Sequence, residues 1–180
     1  MFLGESEKTG SLRRRLRTAV AVGVAVALLC GVTLAVGGLG TGSVAAQSQG
    51  PIEISTWTDL ADVRDDLNAD YVLVNDLDQE TMGYESVAGP TANNGRGFNP
   101  IGEVRNEFVG SFDGQGNTIR DLIIDRPTED FVGLFSISSG AIENAAVVNA
   151  TVTGNFRVGG LVGFNLANVS NSEASGSVAG

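Results

Sequence analysis

From Phe108 onward, apolar residues come in short runs, each closed by Gly, Asn, Asp or Ser. Leu122–Ile124, Ala145–Val148 and Gly160–Val162 are such runs, rich in β-branched residues, and they read as strand followed by turn. The runs also repeat. Phe108-Val-Gly-Ser-Phe112, then Ile119, Leu122 and Ile124, is matched by Phe131-Val-Gly-Leu-Phe135, then Ile142, Ala145 and Val147, at a shift of 23 residues. Ile142-Glu-Asn144 is matched by Val169-Ser-Asn171 at a shift of 27, and Val152-Thr-Gly154 by Val178-Ala-Gly180 at 26. Periods in the twenties predict a solenoid. A unit this short cannot close its own core, but stacked at strand spacing it buries its inward side chains against the next copy. The expectation is an all-β fold, a short right-handed parallel β-helix over residues 98–180. Its predicted inward residues are Phe112, Ile119, Leu122, Ile124, Leu134, Ile142, Val147, Val152, Leu161, Val169 and Val178. Asn144 and Asn171 fall at equivalent positions, where Asn tolerates a left-handed turn and stacks as a ladder.

Residues 52–78 follow a different pattern. Ile52–Ile54 and Tyr71–Val74 are strand candidates. Between them, Ser55 or Thr56 is placed to cap a helix over about 56–67, with Asp59 in its first turn. Trp57, Leu60, Ala61 and Leu67 share one face of that helix and Val63 lies at its edge. An apolar face of this kind suits docking on the open end of a solenoid, so the segment is expected to be its N-terminal cap. Residues 47–51, with a Gly and a Pro, read as a linker. Residues 79–97 have little apolar character and are expected to form a long loop, either an insertion between repeats or a binding surface.

The closing stretch carries a family resemblance. Val158-Gly-Gly-Leu-Val-Gly-Phe-Asn165, Val169-Ser-Asn-Ser172 and Ala174-Ser-Gly-Ser-Val-Ala-Gly180 together resemble the GLUG motif. That motif occurs in repeat regions of large bacterial and archaeal surface proteins, including haemagglutinin-like adhesins and the non-catalytic part of IgA-specific metallopeptidases. Gly159, Gly160, Leu161, Gly163, Asn171, Gly176 and Gly180 are the motif positions here. Asp125-Arg-Pro127 and the two Phe-Val-Gly segments are similar to sequences that precede the motif, so the resemblance reaches over about residues 52–180. It implies a structural repeat and transfers no catalytic residue.

The first 46 residues are another kind of chain. Arg13, Arg14, Arg15 and Arg17 precede a run without charge from Thr18 to Ala46, which ends in Val44-Ala45-Ala46. This is the pattern of an export signal cut between Ala46 and Gln47. The run is also long enough to stay as a membrane anchor. Arg13-Arg14-Arg15-Leu16 is compatible with a twin-arginine route. Leu29 is too bulky for lipid attachment at Cys30, which is the only cysteine. With no other Cys and no His, the remainder lacks disulfides, thiol chemistry, Cys/His zinc sites and the usual general base. No cofactor is expected.

Charge divides at the same boundary. The whole chain carries −10 and residues 1–46 carry +3, which leaves −13 for 47–180; that part has no lysine and six arginines. Such a surface does not suit nucleic acid. It stays soluble at high salt and is similar to proteins of extreme halophiles. The expected partners are other surface proteins or glycans, with the membrane reached only through residues 18–46 if they are retained.

Three constellations could carry chemistry. Asp76, Asp78 and Glu80 alternate as calcium ligands can, but Thr81 stands where a calcium loop needs Gly and Val87 where it needs an acid. Asp113-Gly-Gln-Gly-Asn117 lacks the Lys-Ser/Thr of a phosphate loop and reads as a turn. Asp113, Asp121 and Asp125 are the acids a polysaccharide hydrolase or lyase would have to bring together across a groove. Asn149 and Asn168 head glycosylation triplets. The expected role is therefore an exported, cell-surface structural or adhesive module without catalysis. A carbohydrate-active enzyme and a carbohydrate-binding module are the alternatives. Because the motif finishes at Gly180, the sequence also raises continuation in a longer array or end-to-end self-association.

Overall fold

The computed structural model describes residues 50–180. The segment expected to direct export, the expected cleavage point at Ala46 and Gln47, and Cys30 lie outside the described residues. The described part is all-β, with a few short helices and parallel strand pairing throughout its sheets. It opens with β1 (Ile52–Ile54), α1 (Trp57–Asp62), a 3-10 turn (Val63–Asp65) and β2 (Tyr71–Leu73). Two helical turns follow, α2 (Tyr84–Val87) and α3 (Ala92–Gly95). Then come β3 (Ser111–Asp113), β4 (Thr118–Arg120), β5 (Ile123–Asp125), β6 (Asp130–Val132), β7 (Phe135–Ser138) and β8 (Ala141–Glu143). The chain finishes with β9 (Ala146–Thr153), β10 (Phe156–Val158), β11 (Val162–Asn165), β12 (Val169–Ser170) and β13 (Glu173–Ala179). Among the described residues no helix is long and apolar enough to cross a membrane.

One sheet runs β1-β2-β3-β8-β12. Its register aligns Ile52, Tyr71, Phe112, Ile142 and Val169 in a single column. A second sheet joins β13, β9 and β4, with β5 also on β9; β11 pairs with β7 and β10 with β6. The C-terminal offsets read from the sequence are the observed ones: Ile142 faces Val169 and Val152 faces Val178. The slip from 27 to 26 is an irregularity between Ala174 and Gly176. The upstream offset of 23 is corrected. Phe112 pairs with Ile142, Ile119 with Val147 and Ile124 with Val152, offsets of 30 and 28. The two Phe-Val-Gly segments are chemically alike but placed differently. Phe108 is fully buried and bridges Ser138, whereas Phe131 stands half-buried at a corner with φ +57°.

Nine of the eleven predicted inward residues are buried, from Phe112 to Leu161. Val169 and Val178 are corrections, being 40% and 49% exposed. They belong to β12 and β13, which among the described residues have a strand on one side only.

Helix α1 forms where its cap is written. Thr56 accepts a hydrogen bond from the Asp59 N–H (3.1 Å), and Asp59 accepts from the Thr56 N–H (2.9 Å), a capping box. The helix is shorter than expected: it tightens at Val63 and stops at Asp65. Trp57, Leu60, Ala61, Val63 and Leu67 are all buried. Trp57 packs edge-on against Tyr84 (5.7 Å) and against Phe98 (6.4 Å), and its Nε1–H donates to the Asp78 carbonyl (2.8 Å). The stretch 79–97, expected as a long loop, folds into α2 and α3 because Tyr84, Ala88 and Ala92 are drawn into this core.

Candidate functional site

The strands end at corners where the backbone turns left-handed, and the chain fills most of these corners with short polar residues. Asn144 (φ +52°), Asn149 (φ +57°), Asn171 (φ +47°) and Asp121 (φ +58°) take the conformation that Asn and Asp tolerate best. Their side chains then link neighbouring repeats. Asn144 Nδ2–H donates to Asp113 Oδ1 (2.9 Å) and Asn171 Nδ2–H donates to Asn144 Oδ1 (3.4 Å). Asn149 donates likewise to Asp121, and Asn155 to Asp130 (2.8 Å). In all three ladders an aspartate accepts and an asparagine in the following repeat donates. The Asn144–Asn171 stack was legible in the sequence; the two other ladders were missed, since their members are 28 and 25 residues apart at no shared motif position.

These ladders occupy acids that a hydrolase would need. Asp113 also accepts from the Gln115 N–H (2.8 Å), and Asp125 closes β5 elsewhere on the chain. Asp76 accepts from the Thr118 N–H (2.7 Å), and Asp78 accepts from the Glu80 and Thr81 N–H groups and the Thr81 hydroxyl. Glu80 is exposed beside them. Among the described residues no three acids converge as metal ligands do. The Thr81 hydroxyl bond, with the backbone donors, holds the Asp78 carboxyl below its ordinary range. Burial raises the Asp59 carboxyl, but the bonds from Ser55 and Thr56 outweigh it and hold that group low as well. Both displacements are opposite to what a general acid at neutral pH requires.

Glycine serves the closing motif by close approach. A Cβ on Gly163 would stand 2.6 Å from the Phe131 carbonyl carbon, where β11 lies over β6. Gly176 has φ +136°, and a Cβ there would collide with the Ala150 carbonyl oxygen, at the irregularity in β13. Both glycosylation asparagines are exposed, but Asn149 has its amide committed to Asp121.

Two charged arrangements were not legible in the sequence. In the first, Arg96 and Arg126 pair with Glu129, and Arg64 lies near Arg126. Arg126 is 4% exposed; its Nη1 reaches Glu129 at 3.3 Å and its Nη2 the Phe98 carbonyl at 3.4 Å. Arg96 pairs with the same Glu129. Burial, with repulsion from Arg96 and Arg64, lowers the Arg126 pKa to about 10, so it stays charged at neutral pH. Arg64 donates to the Asn99 carbonyl (2.6 Å) and lies over the Phe98 ring. A groove of about 550 Å³ opens beside this cluster, walled by Arg64, Asn99, Glu103, Asn106, Glu129 and Phe131. In the second arrangement, at the Phe131 corner, Arg157 lies over three rings, 4.1 Å from Phe164, 5.1 Å from Phe156 and 5.4 Å from Phe131.

Parallel strand pairing and polar ladders between neighbouring turns define an all-β repeat protein. The GLUG motif model matches residues 154–179, four residues earlier than the sequence pattern suggested. The chain therefore carries a GLUG motif. It is 36% identical over 136 residues to halomucin of Haloquadratum walsbyi, an alignment covering 72% of this chain and 1% of that protein. It is 32% identical over 133 residues to a protein named as a Gly-rich membrane protein of Evansella cellulosilytica, covering 68% of this chain and 14% of that one. The chain thus spans a small part of both relatives. No solved structure matches it.

Proposed function

We propose that residues 47–180 form an exported, surface-displayed structural or adhesive module that performs no catalysis. In this reading strands β3–β13 are the turns of a short right-handed parallel β-helix, and residues 52–78 cover its N-terminal end. The observation that carries it is the parallel register through the GLUG motif, with Ile142 on Val169 and Val152 on Val178. The polar ladders and the similarity to one region of halomucin support it. A surface of charge −13 without lysine suits display in concentrated salt.

The test is to express the full chain with a C-terminal epitope and probe intact cells with antibody and protease. The expected outcome is an accessible epitope on a protein whose N-terminus is Gln47. A cytoplasmic product starting at Met1 would overturn the export reading. Turnover of polysaccharide by the purified protein would overturn the non-catalytic one.

A further inference from the structure

Most left-handed corners of the repeats carry Asn or Asp, which adopt that backbone at little cost. Phe131 (φ +57°) and Arg157 (φ +56°) do not follow this rule. For Phe and Arg, whose side chains form no local hydrogen bond to offset it, the conformation is sterically disfavoured. Pairing of β10 with β6 (Phe156 on Asp130, Val158 on Val132) brings these two corners side by side. Neither side chain enters the core: Arg157 is exposed, Phe131 and Phe164 are half-buried, and Phe156 is 53% exposed.

Ring stacking orients the guanidinium. Phe131 meets Phe156 at 6.3 Å and Phe164 at 5.8 Å, and Arg157 lies against all three. Stacking satisfies the face of a guanidinium and leaves its N–H edge for a planar acceptor. Among the described residues Arg157 makes no ion pair and no side-chain hydrogen bond. The neighbouring acids are already engaged, Asp130 by Asn155 and Glu129 by Arg96 and Arg126. An oriented, unpaired cation on a surface that is otherwise strongly acidic calls for an anionic ligand carrying an apolar face.

We propose that Arg157, Phe131, Phe156 and Phe164 form a binding site for a carboxylated sugar unit of an acidic polysaccharide. The Arg157 edge takes the carboxylate through two N–H groups, and the exposed Phe156 ring supports the C–H face of the sugar. Phe131 also walls the 550 Å³ groove, and Asn99 and Asn106 in the same wall would bond hydroxyls of the next sugar unit. This deepens the surface-module reading and rests on it for access to polymer.

The test titrates the full chain with polygalacturonate and with its methyl-esterified form, at low salt and at about 1 M salt, where charge is screened beyond about 3 Å. The acid polymer is expected to bind in both salts. R157Q and R157K are each expected to weaken binding about tenfold, the equivalent of one charge-assisted hydrogen bond. F156A is expected to weaken it similarly, whereas R105Q, which removes an exposed arginine from a loop, should leave it unchanged. The esterified polymer reports on the carboxylate without altering the protein, so it decides the question even if a variant misfolds; it is expected to bind about tenfold more weakly. Absence of binding, equal binding of both polymers, or equal losses in R105Q and R157Q would each overturn the site. A protein displayed on the cell but binding neither polymer would remove this site and leave the surface reading intact.

Discussion

The segment around Trp57 and the final repeat at residues 154–180 are held in place by different forces. Trp57 is fully buried between Tyr84 and Phe98, and α1 contributes Leu60, Ala61 and then Val63 to the same core. In β13 all seven residues are exposed, yet the strand keeps parallel register with β9 over nearly its whole length. Backbone pairing, the Asn171–Asn144 bond and the Arg157 stack hold the final repeat, with little apolar burial. The GLUG motif is thus not the part that buries most apolar surface. Hydrophobic burial sets the stability, while the motif supplies glycines for close approach and Asn for corners.

The comparison is tested most severely at its buried end. W57A removes the largest core side chain and leaves the Asp78 carbonyl without its indole donor, so a loss of about 3–5 kcal/mol is expected from the urea midpoint. A loss below about 1 kcal/mol would mean that the helical segment is not integral to the core. The paired valines come next. V152A, at a buried position, should cost about 2 kcal/mol, and V178A, its register partner, under about 0.5 kcal/mol. Equal costs would show that β13 is covered in solution.

The polar ladder offers a smaller effect. N144A loses bonds to both Asp113 and Asn171 and puts a Cβ residue without a polar side chain at φ +52°, which should cost about 1–3 kcal/mol. N144G, which relieves the backbone, should recover about 1 kcal/mol of that loss. Smallest is the capping box. The folded-state pKa of Asp59 is depressed, so its contribution is present above the ordinary value of 3.8 and lost as pH falls through the lower folded value. D59N should therefore flatten the acid limb of the stability–pH curve and cost about 1 kcal/mol near neutrality. An unchanged acid limb would assign that limb to other carboxylates.

How far the fold was legible followed from how local each cause is. The Thr56–Asp59 box spans three residues, and the helix start was readable from it. The offsets of 27 and 26 were readable because Ile142–Asn144 and Val169–Asn171 occupy the same place in their repeats. The offset of 23 misled because Phe108 and Phe131 share a motif but not a role, one in the core and one at a corner. The turn at Asp113–Asn117 makes the spacing from Phe112 to Ile119 seven residues, against five from Ile142 to Val147, and this changes the register from 30 to 28. The corner stack at Arg157 had no sequence signal, since nothing near it marks Phe131 or Phe164 as its partners.

By itself the sequence determined the class of fold, the helix start, the Asn corners and the glycines of the last repeat, because each depends on local conformation or on a repeat of fixed length. The tertiary structure alone decided which turns pair, that Val152 is buried and Val178 exposed, and that Arg96 and Arg126 meet on one glutamate. Those outcomes depend on which distant segments become neighbours, and turn lengths and core packing settle that together.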